Sequence, residues 1–270
     1  MLIRTRYFAL TLGLAAAACT ASPRSAATDA TLSAIPAAAD LAFYNSIVAA
    51  PDRDAADVAL DEGRHPAQTL QFFGIAPGMR IAEISAGGGY TAELLARTVT
   101  PGGVVYGHNA PFVLQRFAQA PWKARLRKPV MKNVARIDAE FVNAIPDNIS
   151  NLDAVLMVLF YHDTVWQGVD RDLMNRTIFA ALRPGGIYGI VDHSARRGSG
   201  LADVETLHRI DEAALRAEVE KAGFVLAAED DFLRNPDDTR DWNASPRNAG
   251  EKRGTSDRFV LKFVKPLDGH

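Results

Sequence analysis

The sequence predicts an α/β fold built on an open, mostly parallel sheet. Segments with strand and helix patterns alternate from residue 80 onward, as consecutive βαβ units require. The segments 153–159 and 186–192 are almost continuously apolar, which is typical of parallel strands buried on both faces. Glycines cluster directly after the first predicted strand, at the edge where such a sheet binds its ligand.

Hydrophobic spacing and turn residues define the elements in chain order. Helical spacing predicts a first helix that contains Leu41, Tyr44, Ile47 and Val48. The charged segment 52–64 is predicted to be helical or irregular, and a short helix then begins at Pro66 and ends at Gly74. Strands are predicted at 80–84, 103–107, 134–137, 153–159, 186–192, 224–228 and 258–264. The helices between them are predicted at 91–98, 112–125, 171–182 and 212–222.

The composition is that of an ordinary soluble globular protein. Hydrophobic residues make up 48% of the 270 residues and charged residues 23%, which excludes disorder for the bulk of the chain. With 30 Lys and Arg against 32 Asp and Glu, no basic excess exists to hold a polyphosphate backbone, so nucleic acid is not expected as a partner. A single cysteine excludes internal disulfides and a Cys₄ zinc site.

The N-terminus has the layout of a secretory signal peptide. Arg4 and Arg6 precede an apolar run over residues 7–18, which is too short to span a bilayer. The small residues before Cys19 resemble a bacterial lipobox, although Ala16 stands where leucine is usual. Lipid attachment at Cys19 is therefore predicted, and secretion without lipid remains the alternative.

Three regions follow from this layout. We expect a signal peptide over residues 1–18, a flexible tether over 19–39 and a single domain over 40–270. The expected location is the periplasmic side of the bacterial cell envelope. A lipid on Cys19 would be the only attachment to the membrane.

The glycine cluster lies between Glu83 and Tyr90. Gly87, Gly89 and Ala92 match the G-x-G-x-x-G/A spacing of dinucleotide sites, a weak signal when it stands alone. The wider context resembles motif I of class I methyltransferases that depend on S-adenosylmethionine (SAM). In that motif an acidic residue precedes x-G-x-G-x-G; Glu83 is the acid here, and Ser85 replaces the first glycine.

The resemblance extends over residues 68–266 and implies both a fold and a cofactor. The fold is a Rossmann-like seven-stranded sheet, mostly parallel with an antiparallel last strand, with helices on both faces. The implied ribose contact is Asn109, where the family normally has an acid, and Asp138 is the implied contact of the adenine amino group. The implied SAM site comprises Glu83, Ser85, Ala86, Gly87, Gly89, Asn109, Asp138 and Leu159.

A narrower resemblance concerns four further segments. They are Ala76-Pro-Gly-Met-Arg, Val191-Asp-His-Ser, Leu207-His-Arg-Ile-Asp and Gly254-Thr-Ser-Asp-Arg-Phe. Together with the glycine cluster they look like a little-characterised family of exported bacterial proteins predicted to be methyltransferases. That resemblance implies no substrate.

Catalytic candidates lie at the ends of the fourth and fifth strands. Methyl transfer is an in-line displacement that depends on positioning, with a base only where the acceptor carries a proton. His162 is the predicted general base, Tyr161 a predicted contact of the acceptor, and His193 a further candidate from the next strand. His208, with Arg209, is predicted to lie on a helix surface or to anchor a loop. The three histidines with Asp163 and Asp192 could also bind a metal, but no H-x-H or H-x₃-H spacing supports that, so no metal is predicted.

The polar segment 230–257 interrupts what is normally a tight hairpin. A loop of that length is usually functional or disordered. We interpret it either as a solvated loop or as a lid over the acceptor that uses Trp242 and Asn243.

The sequence thus predicts an exported SAM-dependent methyltransferase that acts on a small molecule. One alternative is a non-catalytic binding protein of the envelope, because SAM is made in the cytoplasm and an exported enzyme needs a supply. A nicotinamide-dependent oxidoreductase is the other, disfavoured by Glu83 at the end of the first strand and by Asn109 in place of a ribose-binding acid. The oligomeric state is left open.

Overall fold

A computed structural model describes residues 39–267. The predicted signal peptide, Cys19 and nearly all of the predicted tether lie outside the described residues. The strands of the described part are β1 (Arg80–Ile84), β2 (Val104–Asn109), β3 (Val134–Asp138), β4 (Leu152–Val158), β5 (Leu182–His193), β6 (Val225–Asp230) and β7 (Arg258–Val264).

These strands form one sheet in the order β3-β2-β1-β4-β5-β7-β6. β1 to β5 pair in parallel, and β7 runs antiparallel to both of its neighbours, β5 and β6. The predicted sheet, mostly parallel with an antiparallel last strand, is confirmed. The chain winds outward from β1 in one direction and from β4 in the other, so the crevice at the carboxyl ends of β1 and β4 is the place where such sheets bind ligands.

The described helices are α1 (Leu41–Val48), α2 (Ala55–Arg64), α3 (Pro66–Phe73), α4 (Tyr90–Thr98), α5 (Pro111–Val113), α6 (Gln119–Arg125), α7 (Tyr161–Trp166), α8 (Arg171–Ala181), α9 (Val204–Leu207) and α10 (Glu212–Lys221). A π-helical turn joins α5 to α6, where the sequence predicts one continuous helix. The short α7 and α9 were not predicted. Across residues 39–267, no helix combines the length and apolarity needed to cross a membrane.

Two adjacent residues of β5 show that helices cover both faces of the sheet. A Cβ at Gly189 would lie 2.7 Å from the ring of Phe73 in α3, so this face leaves room only for glycine. Tyr188 contacts Phe224, which in turn packs against Phe179 of α8. Successive side chains of a strand point to opposite faces, so α3 and α8 lie on opposite sides.

Candidate active site

The turn between β1 and α4 holds a left-handed backbone at three positions. The φ angle is 61° at Ser85, 57° at Gly87 and 89° at Gly89. Glycine adopts such angles without steric cost, whereas a side chain raises the energy by about 1–2 kcal/mol. Ser85 is therefore strained, and strain of this kind persists where the surrounding structure enforces it, often at functional sites.

The two glycines of the turn face different surroundings. A Cβ at Gly89 would lie 2.6 Å from the buried ring of Trp122 in α6, and one at Gly107 in β2 would lie 2.7 Å from the same ring. A Cβ at Gly87 would meet no atom within 4 Å. Gly89 thus makes room for α6, while Gly87 borders open space at the turn.

Asn109, at the end of β2, holds the turn in place. Its Oδ1 accepts a hydrogen bond from the Gly87 N–H at 2.8 Å, and its Nδ2 donates to the Gly87 carbonyl at 3.1 Å. The side chain is fully buried. The predicted contact with the cofactor ribose does not fit this geometry, because both polar atoms of the amide are engaged with the turn.

His108 supports the same turn from within β2. Its Nδ1 accepts from the Ser85 N–H at 3.3 Å, and its Nε2 lies 2.8 Å from the Ala139 carbonyl, to which it donates in that tautomer. Burial lowers the pKa of His108 to about 4, so the ring is neutral. Ala86 is buried, and its N–H donates to the His108 carbonyl at 2.8 Å.

Two buried oxygens at the start of the turn have no protein partner. Within the described residues, Oε2 of Glu83 and Oγ of Ser85 accept and donate no hydrogen bond. Burial raises the pKa of Glu83 to about 8, so its carboxyl is mostly protonated at neutral pH. Unpaired buried polar atoms are rare and costly, and they point to a ligand that completes their hydrogen bonds.

Asp138 and Leu159 lie on either side of this turn. Asp138 ends β3 with a partly exposed side chain that pairs with Arg136 at 2.7 Å. Leu159 follows β4 with a strained φ of 56°, and its N–H donates to the Val191 carbonyl at 2.7 Å. Since β1 pairs with both β2 and β4, the predicted cofactor residues gather at one edge of the sheet.

A cavity of about 430 Å³ opens beyond Leu159. Its walls come from α2, from the ends of β5 and β7 and from the loop between β6 and β7. The lining includes Arg64, His65, Leu159, His193, Leu233, Arg234, Arg253, Ser256 and Arg258. A smaller cavity, which reaches Tyr90 and Thr91 at the start of α4, shares Arg64, Leu159, Leu233 and Arg258 with it.

Positive charge dominates the lining of the larger cavity. Glu62 is its one carboxylate among the described residues, against four arginines, of which Arg234 pairs with Glu212 outside the lining. Arg258 is 3% exposed, donates to Ser256 Oγ at 3.0 Å and to the Gly63 carbonyl, and has no described carboxylate within 4 Å. Burial, reinforced by the charge of Arg64, lowers the pKa of Arg258 to about 10.

His193, the last residue of β5, is the predicted catalytic residue that reaches this cavity. Its Nδ1 lies 2.7 Å from Ser256 Oγ, and its Nε2 has no hydrogen-bond partner in the described part of the chain. Burial and the charges of His162 and Arg258 hold the pKa of His193 well below its usual range. The ring is therefore neutral, and no described residue engages its Nε2.

His162 is held between two carboxylates. Its Nδ1 lies 2.6 Å from Asp192 Oδ1 and its Nε2 lies 3.3 Å from Asp163 Oδ1, while the ring is 2% exposed. Burial disfavours its charge, but Asp192 and Asp163 outweigh burial and raise its pKa to about 10. The general base predicted at His162 does not fit this structure, because both ring nitrogens are engaged and no lone pair faces an acceptor.

Tyr161 points away from the cavity. Its hydroxyl donates to Glu218 Oε2 in α10 at 2.9 Å and accepts from Asn175 Nδ2 in α8 at 2.9 Å. The side chain is fully buried. The predicted contact with an acceptor is therefore not formed, because helical geometry at the start of α7 directs this ring toward α8 and α10, whereas His162 lies beside β5.

The loop between β6 and β7 is anchored to the domain. Arg209 is fully buried, pairs with Asp238 at 2.7 Å and lies 4.5 Å from the Trp242 ring centroid. Asn243 donates to the Thr206 carbonyl at 2.7 Å. Trp242 and Asn243 therefore fix the loop to the domain and do not make the predicted contacts of a lid. Other loop residues, such as Leu233, form the cavity wall.

Comparisons with known proteins address the fold. No protein-family model matches the chain, and no curated protein matches its sequence. A SAM-dependent methyltransferase from Aquifex aeolicus has a similar structure, with a TM-score of 0.55 at 16% identity over 84% of this chain and 99% of that one. The fold is that of the class I methyltransferases.

Two other solved structures share this methyltransferase fold. The [4+2]-cyclase SpnF has a TM-score of 0.56 at 17% identity, over 76% of this chain and 81% of its own. A candidate sarcosine dimethylglycine methyltransferase from Galdieria sulphuraria has a TM-score of 0.55 at 15% identity, over 80% and 88%. At such identities the likeness establishes the fold, and the activity must be argued from the site.

The sequence analysis did not identify the site residues that this methyltransferase fold brings together from distant segments. Arg64 and Arg258 meet at the cavity from α2 and β7. His208, predicted to lie on a helix surface or to anchor a loop, joins His162 and Asp163 in one cluster. No local spacing links these residues, although the paired His-Asp and Asp-His dipeptides at the ends of β4 and β5 gave a partial signal.

Proposed function

We propose that the chain is an exported SAM-dependent methyltransferase whose acceptor is a small molecule with an anionic group. The observation that carries this proposal is a division of the crevice into two parts. A strained turn with two unpaired buried oxygens lies at the end of β1, and a separate, positively charged cavity begins at Leu159. One part suits a cofactor and the other suits an acceptor.

The residues around the turn fit SAM. Glu83 and Ser85 offer the unpaired oxygens, Gly87 borders open space, and Asp138 offers a carboxylate at the next strand but one. Bound SAM would supply an electrophilic methyl group on a sulfonium. The protein's part is to orient the two reactants and to exclude water, which is the main source of rate in such a displacement.

The anionic acceptor is inferred from arginines that lack acidic partners. Arg64 is half-buried with its guanidinium 4.3 Å from the ring centroid of Tyr90, and no described carboxylate lies within 4 Å of it. Arg258, in the lining of the same cavity, is buried and also has no described carboxylate within 4 Å. A buried cation without a counter-ion is costly, and an anionic ligand would offset that cost.

His193 is the residue we assign to the acceptor's proton. Its Nδ1 contact with Ser256 orients the ring, His193 lines the cavity, and no described residue engages its Nε2. If the acceptor is protonated, this nitrogen can accept the proton as the methyl group is transferred. Support for the role is geometric: His193 lies in the cavity lining, whereas Tyr161 and both nitrogens of His162 are engaged elsewhere.

Native mass spectrometry of the purified protein tests the cofactor assignment. We expect a 1:1 adduct with the mass of SAM or of its demethylated product, and transfer of labelled methyl from SAM to anionic metabolites in a screen. An adduct with a nicotinamide dinucleotide, or no affinity for SAM at any concentration tested, would overturn the proposal.

A non-catalytic binding protein is the second candidate. The contacts of Tyr161 and His162 favour it, because two of the three predicted catalytic residues are engaged away from an acceptor. SAM binding without methyl transfer to any anionic compound would favour this candidate. The dinucleotide-binding alternative loses its sequence support here, since Gly89 serves the packing of Trp122.

A further inference from the structure

We propose that His162, Asp163 and His208 form a binding site for a divalent transition metal of zinc's class. The three residues come from the start of α7 and from the residue that follows α9, so the fold and not a local motif brings them together. One ligand atom from each lies within 4.8 Å of the other two.

The distances match a metal centre. Asp163 Oδ1 lies 3.3 Å from His162 Nε2 and 3.0 Å from His208 Nδ1. Metal–ligand bonds of about 2.0–2.2 Å place neighbouring ligand atoms roughly 3.0–3.5 Å apart, so a cation fits between these atoms with small adjustments.

The hydrogen bonds around the cluster also favour a metal. Trp166 Nε1 donates to Asp163 Oδ1 at 2.7 Å, so both histidine nitrogens approach an oxygen that already accepts one bond. A carboxylate oxygen has about two lone-pair directions, which leaves no good place for three donors. A cation accepts lone pairs from His162 and His208 and removes this crowding.

Asp192 gives the cluster an outer layer of support. This buried carboxylate lies 2.6 Å from His162 Nδ1 and accepts from the His162 N–H at 2.8 Å. A metal ion displaces the proton from Nε2, and the proton kept on Nδ1 leaves the Nε2 lone pair aimed at the cluster. Metal-binding histidines almost always carry such a partner on the other nitrogen, because it fixes the ring and its tautomer.

The backbone of His208 is strained, and the cluster is accessible. Its φ is 51°, in the region that favours glycine, although the residue is a histidine. The side chains of His208 and Asp163 are 22% and 16% exposed, so an ion and a further ligand can enter. Strain of this kind persists where the surrounding structure enforces it, often at functional sites.

Two imidazoles and one carboxylate select the class of metal. Such a set suits Zn²⁺, Fe²⁺ or Co²⁺, whereas Mg²⁺ and Ca²⁺ prefer oxygen ligands throughout. Three protein ligands leave at least one position open, as in catalytic sites, for water or an oxygen of the acceptor. His193 connects the cluster to the cavity, since its ring centroid lies 5.6 Å from that of His162.

Metal content and titration test the site directly. The purified protein, free of a polyhistidine tag, should retain close to one equivalent of Zn²⁺ after dialysis, measured by elemental mass spectrometry. The protein stripped by chelator should bind Co²⁺ at 1:1 with a visible absorption band. Asp163→Asn should abolish retention, and Asp192→Asn should weaken Co²⁺ binding by roughly 10–100-fold.

A matched pair of histidine substitutions controls for folding. His208→Gly removes the imidazole and relieves the backbone strain, so the variant should fold and lose the metal. His65→Gly is the control, because His65 has a φ of 45° and lies outside the cluster. Retention of metal by His208→Gly, loss in both variants alike, or binding of Mg²⁺ alone would overturn the assignment. SAM binding is measured separately, so failure of the metal site leaves the cofactor assignment intact.

Discussion

Asn109 hydrogen-bonds to Gly87, 22 residues earlier in the chain, through both Oδ1 and Nδ2 of its side-chain amide. One amide accepts from the N–H and donates to the carbonyl of the same residue, at 2.8 and 3.1 Å. Only a side chain with a donor and an acceptor on one planar group can do this. The residue at the end of β2 thus sets the shape of the turn beside the cofactor site.

Replacing this amide by a carboxylate should disrupt the turn. In Asn109→Asp the donor to the Gly87 carbonyl becomes a second acceptor, so two lone pairs face each other in a buried position. We expect a loss of about 1–3 kcal/mol in the free energy of unfolding and a parallel loss of SAM affinity, measured by urea denaturation and calorimetry. Asn248→Asp, at an exposed position, is the control. If the two variants were equally stable, the hydrogen bonds of Asn109 to Gly87 would not be what holds the turn.

Gly87 and Gly89 should respond differently to the same substitution. Gly89→Ala forces a methyl group against Trp122, so we expect this clash to add about 1–3 kcal/mol to the loss in the free energy of unfolding that its φ of 89° already causes. Gly87→Ala meets no neighbour and should cost about 1–2 kcal/mol through its backbone angle alone. The methyl of Gly87→Ala instead enters the open space at the turn and should weaken SAM binding. A Gly89→Ala variant as stable as Gly87→Ala would contradict the packing argument.

The strand pattern could be predicted because each strand carries its own apolar signal, and every predicted strand is present within about four residues at each end. The glycine turn was predictable for the same reason, since its residues are adjacent in sequence. The direction of individual side chains could not be predicted from the sequence. Tyr161 and His162 are neighbours, yet one contacts α10 and the other contacts β5, because the strand ends and a helix begins at that point. His208 and Arg258 joined the site only through tertiary contacts that no local spacing encodes.

The buried carboxyl of Glu83 should make stability depend on pH. The side chain ionises near its ordinary value of 4.5 in the unfolded chain and at about 8 in the folded one. Between these values the native state holds the extra proton. The free energy of unfolding therefore falls as pH rises, by up to about 1.4 kcal/mol per unit from this group.

Glu83→Gln isolates that contribution because glutamine stays neutral. Its stability relative to the parent protein should increase from pH 5 to pH 8 and level off above, in urea denaturation at four pH values. Glu251→Gln, at an exposed site, corrects for the loss of one charge. A constant difference between Glu83→Gln and the parent across this range would show that the carboxyl is already ionised in the folded protein.

The N-terminal prediction is tested by one substitution. Cys19→Ser removes the thiol to which a lipid would be attached, while leaving the apolar run before it intact. We expect the parent protein to sediment with membranes and Cys19→Ser to be soluble, since an acyl anchor is lost. Intact-mass measurement of the parent checks the same point, and a mature chain without added acyl mass would contradict lipidation.

Arg64 should be required for anion binding. Its guanidinium lies in the lining of both cavities without a described carboxylate partner, so a small anion has an unpaired charge to meet there. Inorganic phosphate should raise the thermal midpoint of the parent protein, and Arg64→Gln should weaken that apparent affinity roughly 10–100-fold, the range for losing a hydrogen bond to a charged group. Arg247→Gln provides the control, because Arg247 is exposed and outside the cavity.

SAM affinity measured in the same variants identifies which ligand Arg64 binds. Unchanged SAM affinity assigns Arg64 to the acceptor, whereas an equal loss for SAM would assign it to the cofactor carboxylate and contradict the anionic acceptor.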